Sequence, residues 1–337
     1  WGLGGMAAVL VVLQFATGLL LKFVYEPTPV AAYASIQFLQ SEVPFGPLIR
    51  NLHHWCANLL VLIIFLHLLR VFFTGAFHAP RQFNWVIGLC LFGLVLLANF
   101  TGYLLPYDQL AYWAVTVFTG MLAYVPGLGG WLQAALLGGT DLGPATLRIF
   151  FAFHTAVIPM VLVALMAFHF WRVRKAGGLV IPRTLEEQLE PETQRVPAIP
   201  NLLLRELTVA LVLVAIVMLW SVFFNAPLED PANPGLSPNP TKAPWYFAGL
   251  QELLLHFHPL FSVCVIPLLA GMALVSIPYL KYDVPAPGEW FASQNGRKMA
   301  VIASVVGLVL TPLLVAVHAM VFASTGFLSE IPGTIGN

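Results

Sequence analysis

Long apolar runs, separated by short polar or Pro-rich connections, set the pattern of this chain. A membrane crossing needs roughly 20 apolar residues. That rule marks seven spans, at about Gly2–Val24, Leu52–Phe73, Trp85–Leu105, Ile149–Trp171, Leu202–Phe224, Leu260–Leu280 and Met299–Phe322. The expected fold is all-α, a polytopic transmembrane helix bundle. Pro106 to Arg148 reads as a long, weakly amphipathic loop, with Pro126, Gly127, Gly129 and Gly130 as breakers. Residues 226–247, APLEDPANPGLSPNPTKAPWYF, are too Pro-rich to be regular throughout.

Composition sharpens the class. The 337 residues are 59% hydrophobic and 9% charged, against about 25% charged in soluble domains. Zero net charge gives no reason to expect nucleic acid, and the partner implied at once is membrane lipid. Cys56, Cys90 and Cys264 lie singly in apolar segments, with no CxxC or CxxCH, and are expected to be buried and inert. The chain opens inside an apolar run at Trp1, so a longer N-terminus is expected.

Basic residues suggest the orientation. Arg70, Arg81, Arg172, Arg174, Lys175, Arg183, Arg195, Arg205, Lys281, Arg297 and Lys298 all flank connections on one side. The positive-inside rule then puts the N-terminus in the cytoplasm and the C-terminus on the outer (p) side, as expected of a bacterial cytoplasmic membrane protein. The one strongly charged connection, residues 173–201, divides the chain. Residues 1–175 form a four-helix part, 176–200 a cytoplasmic-side linker and 201–337 a three-helix part.

Chemistry concentrates in the four-helix part. His53 and His67 are 14 residues apart in the second span. At 100° per residue they fall about 40° short of four turns, on one face, with a rise of roughly 21 Å. His154 and His169 in the fourth span are 15 apart, about 60° past four turns. These spans run parallel, so His53 pairs with His154 toward the outer side and His67 with His169 toward the inner side. Such pairs suit six-coordinate, low-spin b-type haem iron, which has no open position and favours electron transfer. A single histidine here could be an incidental polar residue, but intramembrane ionisable groups default to function, and four at matching spacing point to a dihaem bundle.

Gly4 and Gly18 in the first span, and Gly88 and Gly102 in the third, repeat the 14-residue interval. Lacking Cβ, they would let a flat macrocycle approach the backbone. Close helix packing in lipid is the competing explanation. Arg50, Arg70, Arg148 and Arg174 flank the histidine helices, where guanidinium groups could pair with haem propionates. Arg70 and Arg174 could equally be positive-inside anchors. His54 points ~100° away from His53 and cannot share its role. His78, His256, His258 and His318 have no partner at useful spacing.

Several stretches together resemble cytochrome b of the quinol:cytochrome c (bc1) and plastoquinol:plastocyanin (b6f) reductases. They are GLGGM…QFATG, FGPLIRNLHHW…LHLLRVFFTGAF, TGYLLPYDQLAYWAVTVFTG, FHTAVIPM…FHFWRVRKAG and APWYF. The 15-residue interval and the four-plus-three span count are similar to the b6f branch with its two subunits fused. The resemblance implies an enzyme, a quinol:electron-acceptor oxidoreductase, running a Q-cycle coupled to proton translocation in a respiratory chain. Quinol is oxidised at an outer pocket, one electron passes to a Rieske iron–sulfur protein and on to a c-type cytochrome or other acceptor subunit. The other electron crosses through two b haems to an inner quinone site. Tyr103 and the Pro244–Trp245–Tyr246 loop would line the outer pocket, and a homodimer is implied by the family.

Two departures stand out. The family loop reads Pro-Glu-Trp-Tyr, whereas Ala243 and Pro244 precede Trp245 here, so the carboxylate that accepts a quinol proton is missing. Glu252, seven residues after Trp245, would face the same side if the segment were helical, and is either the substitute proton acceptor or an ordinary interface carboxylate. The b6f branch also carries a cysteine near the start of its first helix that tethers a c-type haem. Gly2 stands there, so no covalent c-type haem is expected on this chain. The altered loop suggests a menaquinol user. Dihaem anchors of formate dehydrogenases or hydrogenases lack TGYLLPYDQ and the PWY loop. A proton transporter would not need glycines at the histidine interval.

Overall fold

The computed structural model describes residues 2–180, 197–238, 243–281, 288, 290–291, 297–310 and 313. These are helical, with no strand among the described residues beyond an isolated bridge between Asp108 and Pro231. Eleven helices can be named. They are α1 Leu3–Lys22, α2 Ala32–Ser41, α3 Gly46–Phe73, α4 Gln82–Tyr103, α5 Gln109–Leu122, α6 Gly129–Leu137, α7 Pro144–Ala152, α8 Ile158–Lys175, α9 Ala198–Phe223, α10 Ala248–His256 and α11 Ile266–Ser276. Among the described residues six stretches are long and apolar enough to cross a membrane: α1, α3, α4, Pro144–Lys175, Ile199–Phe223 and Phe261–Tyr279. Of the expected seventh span, residues 299–310 and 313 are helical, and its remaining residues lie outside the described ones. Arg183, Arg195 and His318 also lie outside them.

In lipid every backbone polar group must find an internal partner, which is why these runs are helices. Their ends follow local chemistry. Gly75, at φ +65, turns the chain out of α3. Gly177 and Gly178, both left-handed, end α8, and Arg81 Nη2 donates to the carbonyls of Ala176 and Gly178 there.

The segment read as a loop from Pro106 to Arg148 is instead largely helical. It carries α5, α6 and the start of α7. Asp108 N-caps α5, its Oδ1 accepting the Ala111 N–H at 2.9 Å. The Gly127–Gly129 breakers only separate α5 from α6. Gly127 has φ +73, and a Cβ on Gly129 would run into the Ala123 carbonyl.

Leu10, Val11, Cys56, Leu60, Val61, Val95, Leu162, Leu213 and Val217 interlock α1, α3, α4, α8 and α9 in one core. Cys56 is fully buried there as expected. Cys90, on the apolar helix α4, is exposed, and Cys264 is only partly buried, against the expectation. The second part is fastened to the first by polar bonds. Arg50 donates to the Ala226 and Pro227 carbonyls at 2.8 and 2.6 Å. Asn51 bonds the Ser221 carbonyl, Asn225 Oδ1 and the Ala226 N–H. Trp55 and Trp85 donate to the carbonyls of Phe224 and Leu274.

Candidate functional site

Two helix pairs, α1 with α3 and α4 with α8, build the site. Each histidine on α3 or along α7–α8 meets one of the four glycines on its partner helix. A Cβ added to Gly4 would lie 3.5 Å from His67 Cε1, and one on Gly18 would lie 3.2 Å from His53 Cε1. The corresponding distances are 3.8 Å for Gly88 to His169 and 2.5 Å for Gly102 to His154. The glycines thus admit the imidazole edges.

The 15-residue interval is corrected by a local defect. Residues Phe153–Val157 form a π-turn, in which i→i+5 bonding adds one residue to the helical turn. That extra residue removes the 60° overshoot expected from a continuous α-helix. His154 and His169 accordingly meet Gly102 and Gly88, which are themselves 14 apart. Pro159 explains the defect, since it has no N–H to bond the carbonyl one turn back. The same combination recurs at Phe261–Val265, followed by Pro267.

The His53 and His154 rings stand 6.1 Å apart, centroid to centroid, at 78°. Two metal–imidazole bonds of about 2 Å each, plus the half-width of each ring, add to a similar separation. The remaining nitrogens identify the tautomers. His53 Nδ1 lies 2.9 Å from Thr17 Oγ1, whose own proton goes to the Leu13 carbonyl at 2.7 Å. His154 Nδ1 lies 3.0 Å from the Ala98 carbonyl and 3.4 Å from Thr101 Oγ1. A carbonyl only accepts, so His154 carries its proton on Nδ1 and keeps the Nε2 lone pair for a metal. Among the inner histidines, His67 Nδ1 is buried without a partner. His169 Nδ1 faces the Asn84 backbone without making a full hydrogen bond. At the outer level this donor set fits haem iron.

The four arginines are placed differently. Arg50 is buried and spends Nη1 and Nη2 on the Ala226 and Pro227 carbonyls, so its fork joins the two parts of the chain and is not held open for a propionate. Arg148 and Arg174 are exposed, and Arg70 is half-buried near the end of α3.

A cavity of about 100 Å³ lies beside Tyr103, next to the outer pair. Tyr103 lines it and directly follows Gly102, the glycine facing His154. Phe100 and Phe118 from α4 and α5, and Pro244, Phe247 and Gln251 from the loop and α10, complete its main walls. Trp245 and Tyr246 stand in the 3-10 turn Trp245–Phe247 at its edge. Burial raises the Tyr246 phenol above its ordinary range, so it is a hydrogen-bonding group and not a base.

Glu252 does not take the expected place. Its side chain is exposed, and the neighbouring Gln251 lines the cavity while accepting the Ala243 N–H at 2.8 Å. The expectation assumed one uninterrupted α-helix from Trp245. Trp245 is not on the cavity face either, which is made by Phe247, Leu250, Gln251 and Leu254 at helical spacing and leaves residue 252 off it. Three other residues escaped the sequence reading. Asn58 Oδ1 accepts the Trp245 indole N–H at 2.7 Å, while its Nδ2 approaches His54 Nε2 at 3.3 Å. Asp108 Oδ2 accepts the Glu229 N–H at 3.1 Å. Burial holds the Asp108 carboxyl above its usual range, against the Ala111 and Glu229 N–H groups and the charge of Arg50. Thr17 is the third, and a threonine directly before a glycine at the histidine interval is the available signal.

Comparison with known proteins decides the family. The model of the family described as Cytochrome b/b6/petB matches residues 1–177. The chain belongs to the cytochrome b/b6 family. It is a membrane-spanning electron-transport protein, and the family carries b-type haems. Cytochrome b6 of Synechococcus sp. (strain RCC307) is 43% identical over 175 residues, covering 52% of this chain and 80% of that protein. Cytochrome b6 of Prochlorococcus marinus (strain MIT 9303) is 42% identical over the same shares. A chain of a solved hyperthermophilic respiratory Complex III superimposes with a TM-score of 0.78 at 26% identity. That likeness covers 91% of this chain and 80% of the other, and so continues well past residue 177.

Proposed function

We propose that the chain is the quinol-oxidising cytochrome b subunit of a Rieske/cytochrome b complex. In this reading His53 and His154 hold an outer b-type haem, and His67 and His169 an inner one. The 6.1 Å separation of the outer ring centroids supports the proposal most directly, because it is close to the sum expected for two imidazoles on one iron. Haem bound this way supplies a one-electron carrier with no open coordination position.

The chain's own residues do the rest. Gly18 and Gly102 give the imidazoles room, and Thr17 and Ala98 hold their Nδ1 protons, which orients the rings. Tyr103, Pro244, Gln251 and the Trp245–Phe247 turn form the outer pocket, next in sequence to the outer haem site, where a quinol ring would sit against Phe100 and Phe118. Among the described lining residues no carboxylate is present, so the quinol hydroxyl meets the phenol of Tyr103 and the amide of Gln251.

The proposed partners are a Rieske protein taking one electron, a c-type cytochrome or other acceptor beyond it, and a second copy of the chain. An inner quinone site would take the other electron, completing a Q-cycle with proton translocation. The N-terminus would face the cytoplasm of a bacterial cell. A redox titration of the purified complex with a pyridine haemochrome tests this reading. Two b-type haems with separate midpoints are expected, and one haem or none would overturn the axial pairs.

A further inference from the structure

The outer and inner histidine pairs differ in a way that spacing does not reveal. Both outer rings have an acceptor at Nδ1, and neither inner ring makes a full bond there. His154 takes the Ala98 carbonyl and His169 faces the matching Asn84 backbone, so the clear difference lies between His53 and His67, at the residue before each glycine. That residue is Thr17 before Gly18 and Thr101 before Gly102 at the outer level, but Leu3 before Gly4 and Ile87 before Gly88 at the inner level.

We propose that Thr17, acting through His53 Nδ1, sets the reduction potential of the outer haem, with Ala98 and Thr101 acting alike through His154. The inference rests on the reading that the histidine pairs hold haem iron. Thr17 is a positioning residue that touches the ligand and not the iron.

The direction follows from proton bookkeeping. Thr17 Oγ1 gives its hydrogen to the Leu13 carbonyl at 2.7 Å, and Thr101 Oγ1 gives its own to the Leu97 carbonyl at 2.9 Å. Each hydroxyl oxygen therefore faces its histidine as an acceptor. An imidazole whose Nδ1–H is bonded is a more basic ligand through Nε2. A more basic ligand favours the ferric ion over the ferrous, which lowers the potential. At the inner level Leu3 and Ile87 offer no such oxygen.

The test is an equilibrium redox titration of the intact complex carrying Thr17→Val, with Thr17→Ser as the control that restores the oxygen. Haem content is measured alongside, by pyridine haemochrome. Thr17→Val should retain two b-type haems and raise one midpoint, leaving the other in place. The expected change is up to tenfold in the reduction equilibrium, which is about 59 mV for one electron. Thr17→Ser should return it toward the wild-type value. Two haems with both midpoints unmoved, or an equal shift in the serine variant, would overturn the proposal. Should Thr17→Val fail to assemble, Thr101→Val provides the measurement. His154 keeps the Ala98 carbonyl there, so a smaller upward shift is expected and its absence counts against the idea. A wild-type complex lacking two b-type haems would instead remove the underlying haem assignment.

Discussion

Trp245 donates its indole N–H to Asn58 Oδ1 at 2.7 Å, so the loop beside the outer cavity is latched to the helix that carries His53. Asn58 lies five residues beyond His53, and its Nδ2 also reaches the His54 carbonyl at 3.0 Å. Replacing it by alanine should free the loop without disturbing the ligands. A hydrogen bond of this kind contributes about 0.5–1.5 kcal/mol. The KM for quinol should rise between twofold and tenfold in Asn58→Ala, with haem content unchanged, as steady-state kinetics beside a haem spectrum would show.

The four glycines should not tolerate a methyl group equally. At Gly102 the added carbon would sit 2.5 Å from His154 Cε1, closer than real contacts allow, whereas at Gly88 it would meet His169 at an ordinary 3.8 Å. Gly102→Ala should therefore lose the outer haem signal. Gly88→Ala should keep both, and Gly18→Ala, at 3.2 Å, should fall between them. Optical spectra of the purified variants rank them directly.

The π-turn offers a harsher test. Deleting Ala156 would leave a 14-residue interval on a plain α-helical path, with His154 and His169 still on one face. Both haems should remain. Loss of one would show that the π-turn does more than absorb the extra residue.

Gln251 and Glu252 make opposite predictions. Gln251→Leu removes a polar cavity wall and the acceptor of the Ala243 N–H, so quinol KM should rise several-fold. Glu252→Gln changes an exposed side chain off the cavity and should leave both the rate and its pH profile as they were. A flattened pH profile in Glu252→Gln would restore that residue as the proton acceptor.

Much of this arrangement was legible in the sequence because membranes impose simple rules. The apolar runs located six described spans, and the 14-residue intervals located the histidines and the glycines that face them. What could not be read was local phase. The 15-residue interval overshoots four α-helical turns, and the π-turn at Phe153–Val157 that absorbs the extra residue leaves no mark in the spacing. Glu252 was placed by counting α-helical turns from Trp245, which is itself off the cavity face. The helices α5 and α6 were hidden by glycines and a proline that only punctuate them. Arg50 was read by its charge, yet its position is settled by carbonyls 176 and 177 residues away. No periodicity reports contacts of that range.

The bonds from Arg50, Asn51, Trp55 and Trp85 join two stretches of chain that lie far apart in sequence. They bind backbone carbonyls at the end of α9 and in α11, and so recognise a shape more than a set of side chains. A polypeptide cut between residues 180 and 197 would keep every one of these contacts. Two separately translated pieces could then find each other in the bilayer and assemble as one protein. The same surface would let a single gene divide into two, or two genes join, without rebuilding the interior.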